Sequence, residues 1–245
     1  MKGWLLRKHL TMLVAPPGTG KSLISLQMAI ALATGRPWAG FKPVKPSKVL
    51  VINTEDDRDE MNRRIVAACD HMKIRRSELN GRLFVVDMND REMVMVQRDP
   101  KTKEITETGF SDLVVDICRR EGIDVVVVDP LVETHNLSEN DQTDAKKAAI
   151  ALRKLARDAG VATFAIHHTP KGAANMAGNA EASRGAQAFV GVARFVHTLF
   201  EMTEKEATDL NIDQEERRDY VRLDGAKANY SKLAARPGSR RLKSC

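Results

Sequence analysis

Aromatic residues make up only 4% of this 245-residue chain, which rules out an aromatic stacking surface as its main binding device. Cysteine is scarcer still. Cys69, Cys118 and Cys245 have neither paired nor metal-ligand spacing, so a disulfide framework and a cysteine zinc site are both excluded. They read as reduced thiols of a cytoplasmic protein, with Cys69 and Cys118 packed in helices. No apolar run reaches membrane-spanning length, and Arg7, Lys8 and His9 interrupt the apolar stretch near the N-terminus. Neither a spanning helix nor a signal peptide is expected. Internal repeats, low-complexity tracts and Pro/Ser-rich linkers are missing too. One domain is therefore expected over residues 1–230, followed by a basic, flexible tail over residues 231–245.

Charge is present in excess of one sign, at +6 net, and unevenly spread. Arg217 to Cys245 holds nine Lys/Arg against two Asp/Glu, which leaves the rest of the chain close to neutral. Such a distribution suits either a polyanion-binding surface or a solvated terminus. Apolar runs at Leu10–Val14, Lys48–Asn53, Val125–Val128, Val161–His167 and Phe195–Phe200 alternate with helical patterns. This alternation predicts an α/β fold with a mostly parallel central sheet flanked by helices on both faces. Leu83–Val86 reads as an extra strand, and residues 93–106 as a hairpin around Asp99-Pro100, remote from the chemistry. Helices are expected after residue 22 up to Gly35, from Asp57 to Met72, from Ser111 to Glu121, and over 145–159, where Gly160 stops the pattern.

The most informative segment is Ala15-Pro16-Pro17-Gly18-Thr19-Gly20-Lys21-Ser22, between an apolar run and an amphipathic one. It reads as a P-loop, with Ala15 where glycine is usual. A strand, a glycine turn and a helix N-terminus converge backbone N–H groups on phosphates. Pro17, Gly18, Thr19, Gly20, Lys21 and Ser22 are the expected ATP-binding residues. Lys21 would neutralise the β- and γ-phosphates, and the Ser22 hydroxyl would take a position on Mg2+.

In doubly wound sheets, ligands bind beyond the carboxyl ends of the strands. Here those ends supply Thr54-Glu55-Asp56-Asp57, Asp129-Pro130 and His167-His168. Asp129, after four valines, is the expected Mg2+ partner acting through water. Its neighbour is a proline, so the water-activating base must come from elsewhere. Glu55 is favoured, because Asp56 and Asp57 better fit first-turn acids opposing a helix dipole. One of His167 and His168 would report the γ-phosphate to the loop that follows, or both are a satisfied strand-end pair. The stretch from Thr169 to Ser183 lacks hydrophobic periodicity, has Lys171 as its only cation and reads as a mobile loop. Arg184-Gly185 then opens a helix that closes at Arg194. Arg194 would serve as an arginine finger toward a neighbouring subunit, or would pair with a surface acid.

The ordered set APPGTGKS, INTEDD, VVVVDP, HHTPKGAANMAG, SRGAQAFVGVARF and KANY resembles the RepA-like hexameric helicases, within the wider RecA/DnaB-type ATPase group. The likeness covers roughly residues 10–230. It implies a RecA-like core in which the strand ending in His167-His168 lies between the P-loop strand and the Asp129 strand. Glu55 is then the catalytic carboxylate, His168 the likelier of the pair to sense phosphate, and Arg194 the finger acting across subunits. Lys227 of KANY is implied as a further contact near the nucleotide, and Lys171 and Arg184 as DNA contacts. The implied partners are single-stranded DNA, further copies of the chain in a six-membered ring, and a primase or initiator protein. Two departures stand out. The chain begins shortly before the P-loop, where ring helicases carry a segment that latches onto the next subunit. Beyond Tyr230 no final strand is expected.

These readings point to a Mg-ATP-driven DNA motor whose DNA contacts are backbone-led and salt-sensitive. The alternative is an ATP-switched binding or regulatory protein that does not unwind. A small-molecule kinase would need an arginine-rich lid and an acceptor pocket, and neither is legible.

Overall fold

The computed structural model describes residues 4–87, 93–168, 186–229 and 240–243. Ten strands and six helices follow in chain order among these residues. They are β1 (Leu10–Ala15), α1 (Lys21–Thr34), β2 (Val49–Asn53), α2 (Arg58–Met72), β3 (Leu83–Asp87), β4 (Val96–Arg98), β5 (Ile105–Glu107) and α3 (Phe110–Glu121). Then come β6 (Val125–Asp129), α4 (Gln142–Ala159), β7 (Ala162–His168), α5 (Ala186–Val192), β8 (Phe195–Glu201), α6 (Glu204–Asp209), β9 (Tyr220–Ala228) and β10 (Arg240–Lys243).

Eight strands form one sheet in the order β10-β9-β8-β1-β7-β6-β2-β3. The six from β8 to β3 run parallel, and β9 and β10 add antiparallel at one edge. The central strands are buried on both faces, which is why they read as unbroken apolar runs rather than alternating ones. Helices α1 and α2 cover one face through Ile24, Met28, Ile30, Met61 and Cys69, packed on Leu13, Val51, Val127 and Phe164. Helices α3, α4 and α5 cover the other through Val114, Cys118, Leu152 and Phe189, packed on Met12, Ile52, Val128 and Ala165. Cys69 and Cys118 are thus buried in helices, and burial pushes the Cys118 thiol up to about 11.

The strand order matches the sequence expectation: β7 lies between β1 and β6. Two expectations need correction. Arg240–Lys243, within the stretch read as a free tail with no further strand, pairs antiparallel with β9, Arg240 opposite Leu223. The β4–β5 hairpin, read as remote, braces the chain beside the strand ends. Val96 bridges His135, the Arg98 N–H bonds Asn136, and the Arg98 guanidinium pairs with buried Asp144. The segment ahead of the P-loop also belongs to this core. Trp4 is buried, stacks on His197 at 3.6 Å and bonds Met28 of α1, while the Lys8 N–H reaches the Val161 carbonyl.

Candidate nucleotide-binding site

Parallel registration aligns the chemistry at one end of the sheet. Ala15 is opposite His168, and Asn53 is opposite both Asp129 and Asp87. The P-loop, Glu55, Asp129 and His168 therefore emerge side by side, because Asp129 and His168 are the last paired residues of their strands and the P-loop and Glu55 follow closely on those of β1 and β2. Gly18 (φ 80°) and Gly20 (φ 73°) adopt left-handed backbone that disfavours a Cβ, and a Cβ at Gly18 would meet nothing within 4 Å. Thr19 braces the turn by donating its hydroxyl to the Pro16 carbonyl at 2.8 Å. No side chain caps the N-terminus of α1, so the turn's N–H groups remain available to an anion. Lys21 is 6% exposed and makes no ion pair among the described residues. A buried ammonium without a carboxylate partner suits a phosphate.

The Ser22 hydroxyl interacts with Asp129, and the Asp129 Oδ1 is buried without a hydrogen-bond partner among the described residues. Thr54 Oγ1 is buried and unpartnered as well. This oxygen-only set fits Mg2+, which Ser22 and Asp129 would hold. Burial raises the Asp129 pKa to about 6, with Glu55 adding to the rise and Ser22 and Lys21 opposing it.

The three acids after β2 have different partners. Asp57 caps α2 by accepting the Glu60 N–H at 2.7 Å, and Asp56 pairs with Arg64 at 2.8 Å. Glu55 instead reaches across Asp129 to His168, with Oε1 3.2 Å from Nε2. The two histidines part company because successive strand residues face opposite sides. His168 joins Glu55 and Lys21; burial and the Lys21 charge lower its pKa, so its ring is neutral near pH 7. His167 lies on the other face, buried, its ring 5.7 Å from that of Phe189. Burial lowers its pKa also.

Glu139 was missed in the sequence. It sits 3.6 Å from His135 Nε2 and 3.8 Å from His167 Nδ1, and the neighbouring His135, with His167, holds its carboxyl below the usual range. Its only sequence signal is a carboxylate in a segment without hydrophobic periodicity, and the contact with His167 exists only once β7 is in place.

Arg194 lies at the opposite end of the sheet from its own P-loop. Its N–H bonds the carbonyl of Leu10, the first residue of β1, which is about 17 Å of strand from Ala15. Lys227, opposite Val196, donates its ammonium to the Val190 carbonyl of α5 at 2.5 Å. Neither residue belongs to the nucleotide site of its own subunit. Lys171 and Arg184 lie outside the described residues. Other cations of the basic C-terminal stretch are engaged within the fold: Arg222 pairs with Glu206 and Asp224, and Arg217 bonds the Met202 carbonyl.

A glycine turn beyond a central parallel strand, a buried lysine on it and a buried aspartate on a nearby strand define a P-loop nucleotide-binding domain of RecA-like architecture. Residues 1–174 match the AAA domain family AAA_25, and the chain belongs to that family of ATPase domains. Among solved structures, it resembles that of a DnaB-like replicative helicase, determined with its interactions with primase. The TM-score is 0.61 at 12% identity, over 91% of this chain. The chain spans about half of that protein, 53% of its length. No described helix is long and apolar enough to cross a membrane.

Proposed function

We propose that this chain is a single ATPase domain, read in the sequence over residues 1–230 and extended by β10, that hydrolyses Mg-ATP and couples hydrolysis to single-stranded DNA in a ring of identical subunits. One observation carries the catalytic reading: Glu55 and His168, from strands two apart, meet over Asp129 beside a buried Lys21 that makes no ion pair among the described residues. Lys21 and the turn N–H groups bind the phosphates. Ser22 and Asp129 would hold Mg2+, which when bound would screen the phosphate charge. Glu55 accepts the proton of the attacking water and orients it toward the γ-phosphorus. His168, neutral and donating to Glu55, is suited to exchange that contact for a phosphate oxygen and so report occupancy to the chain that follows. Arg194, far from its own P-loop, supports catalysis shared between subunits, where it would meet a neighbour's γ-phosphate. A primase or initiator protein is the proposed partner of the ring.

The test is steady-state ATP hydrolysis with and without single-stranded DNA, with the mass in solution determined on the same protein. Stimulation by DNA in a ring-sized assembly is the expected result. Slow hydrolysis by a monomer indifferent to DNA would remove the motor reading and leave an ATPase domain.

A further inference from the structure

Helix α4 exposes a stripe of one charge sign. Its outward positions carry Lys146, Lys147, Ile150, Arg153, Lys154 and Arg157, all on one side at helical spacing. The outer faces of α2 and α3 differ: α2 mixes Asp59, Glu60 and Asp70 with Arg63 and Arg64, and α3 mixes Asp112 and Asp116 with Arg119 and Arg120. On α4, Lys154 pairs with Glu107 and Arg157 with Asp158. Lys146, Lys147 and Arg153 make no ion pair among the described residues, and all three are exposed. Helix pairs of like charge are unfavourable by themselves. Arg153 and Arg157 nevertheless stand four residues apart on this face, and Lys154 and Arg157 three apart. Lys146 and Arg153 are separated by about 10 Å along the axis, enough to meet more than one phosphate. Between them Ile150 remains 37% exposed.

We propose that the outer face of α4, through Lys146, Lys147 and Arg153, is a docking surface for the phosphodiester backbone of single-stranded DNA. This rests on the DNA reading above and names where part of the affinity resides. The charge complementarity is direct, and the face offers no aromatic ring, so contacts to the backbone dominate and binding carries no base preference. The C-terminal stretch is a weaker candidate among the described residues, because Arg217, Arg222 and Lys227 already serve the fold.

The experiment is a salt titration of binding to a fluorescent oligo-dT, read by anisotropy on the full chain with Mg-nucleotide present. Each phosphate contact contributes about 0.7 to the slope of log K against log salt, so Lys146→Ala/Lys147→Ala/Arg153→Ala should flatten it by about 2. Lys42→Ala/Lys101→Ala/Lys205→Ala removes equal charge at scattered exposed sites and should keep the wild-type slope. The charge-preserving Lys146→Arg/Lys147→Arg/Arg153→Lys should also keep it. If the first variant melts below the assay temperature, Lys146→Ala and Arg153→Ala taken singly should each flatten the slope by about 0.7. A wild-type slope in the α4 variant, or equal flattening in the scattered variant, overturns the proposal while leaving the DNA reading intact. A wild-type chain that does not bind the oligonucleotide overturns both.

Discussion

Asp129 is a carboxylate made costly by its surroundings. Burial is the main reason that its pKa rises to about 6. A raised carboxyl pKa means that the folded chain holds a proton there below about 6, where the unfolded chain has already lost it. In the ligand-free protein this costs stability above about pH 6, and the cost fades as pH falls toward the ordinary carboxylate range. A divalent cation favours the ionised form, so its binding reverses the balance. Mg2+-dependent nucleotide binding should therefore weaken between about pH 7.5 and about pH 5. Trp4 and Trp38, which bond Met28 and Gln27 of α1, give a fluorescence readout of the helix that carries Lys21. His167 and His168, with lowered pKa values, also titrate below neutrality and lose stability in acid. Asp129→Asn separates the effects: it should abolish most of the Mg2+ dependence and, with it, the pH dependence of nucleotide binding. A Mg2+ effect in Asp129→Asn that still falls with acid would assign the titration elsewhere.

At the scale of elements, a few polar side chains decide where helices begin and thus where the strand ends point. Asp141 starts α4 by accepting the N–H groups of Thr143 at 2.7 Å and Asp144 at 3.0 Å. Asp144 in turn accepts the Ser138 N–H and pairs with Arg98, which ties α4 to the hairpin. Glu139 lies just before this cap and reaches both His135 and His167. Asp141→Ala should cost about 1 kcal/mol, or about 2–4 °C in melting midpoint for a chain of this size, measured by circular dichroism. An unchanged midpoint would mean that the cap does not support α4. Helix and strand spans up to β8 were legible in the sequence because these signals are local, whereas α6 and β9 were not read from it. The caps at Gly35, Asp57 and Gly160, the valine run before Asp129 and the hairpin turn at Asp99 each act within a few residues of where they are written. Arg240–Lys243 was not legible, because β10 is made by a partner strand rather than by its own composition.

At the scale of the molecule, the distance between Arg194 and its own P-loop requires that any role in hydrolysis be exerted on another subunit. Arg194→Ala and Glu55→Gln should each be inactive in ATP hydrolysis alone, with Glu55→Gln still binding nucleotide. Mixed, they should recover part of the activity, since a shared site then contains one intact finger and one intact base; hydrolysis rates against mixing ratio test this. No recovery at any ratio would argue against catalysis across subunits. The sequence by itself determined the P-loop, the acidic candidates after each strand and the parallel α/β class, because glycine turns, apolar runs and caps are written in neighbouring residues. Only the tertiary structure decided among them. Strand pairing set Glu55 against His168 and turned His167 toward Glu139. Packing moved Arg194 and Lys227 to the far end of the sheet, and the fold drew several C-terminal cations into internal bonds while leaving those of α4 exposed. Such outcomes depend on registers and faces between residues far apart in the chain, which no local spacing encodes.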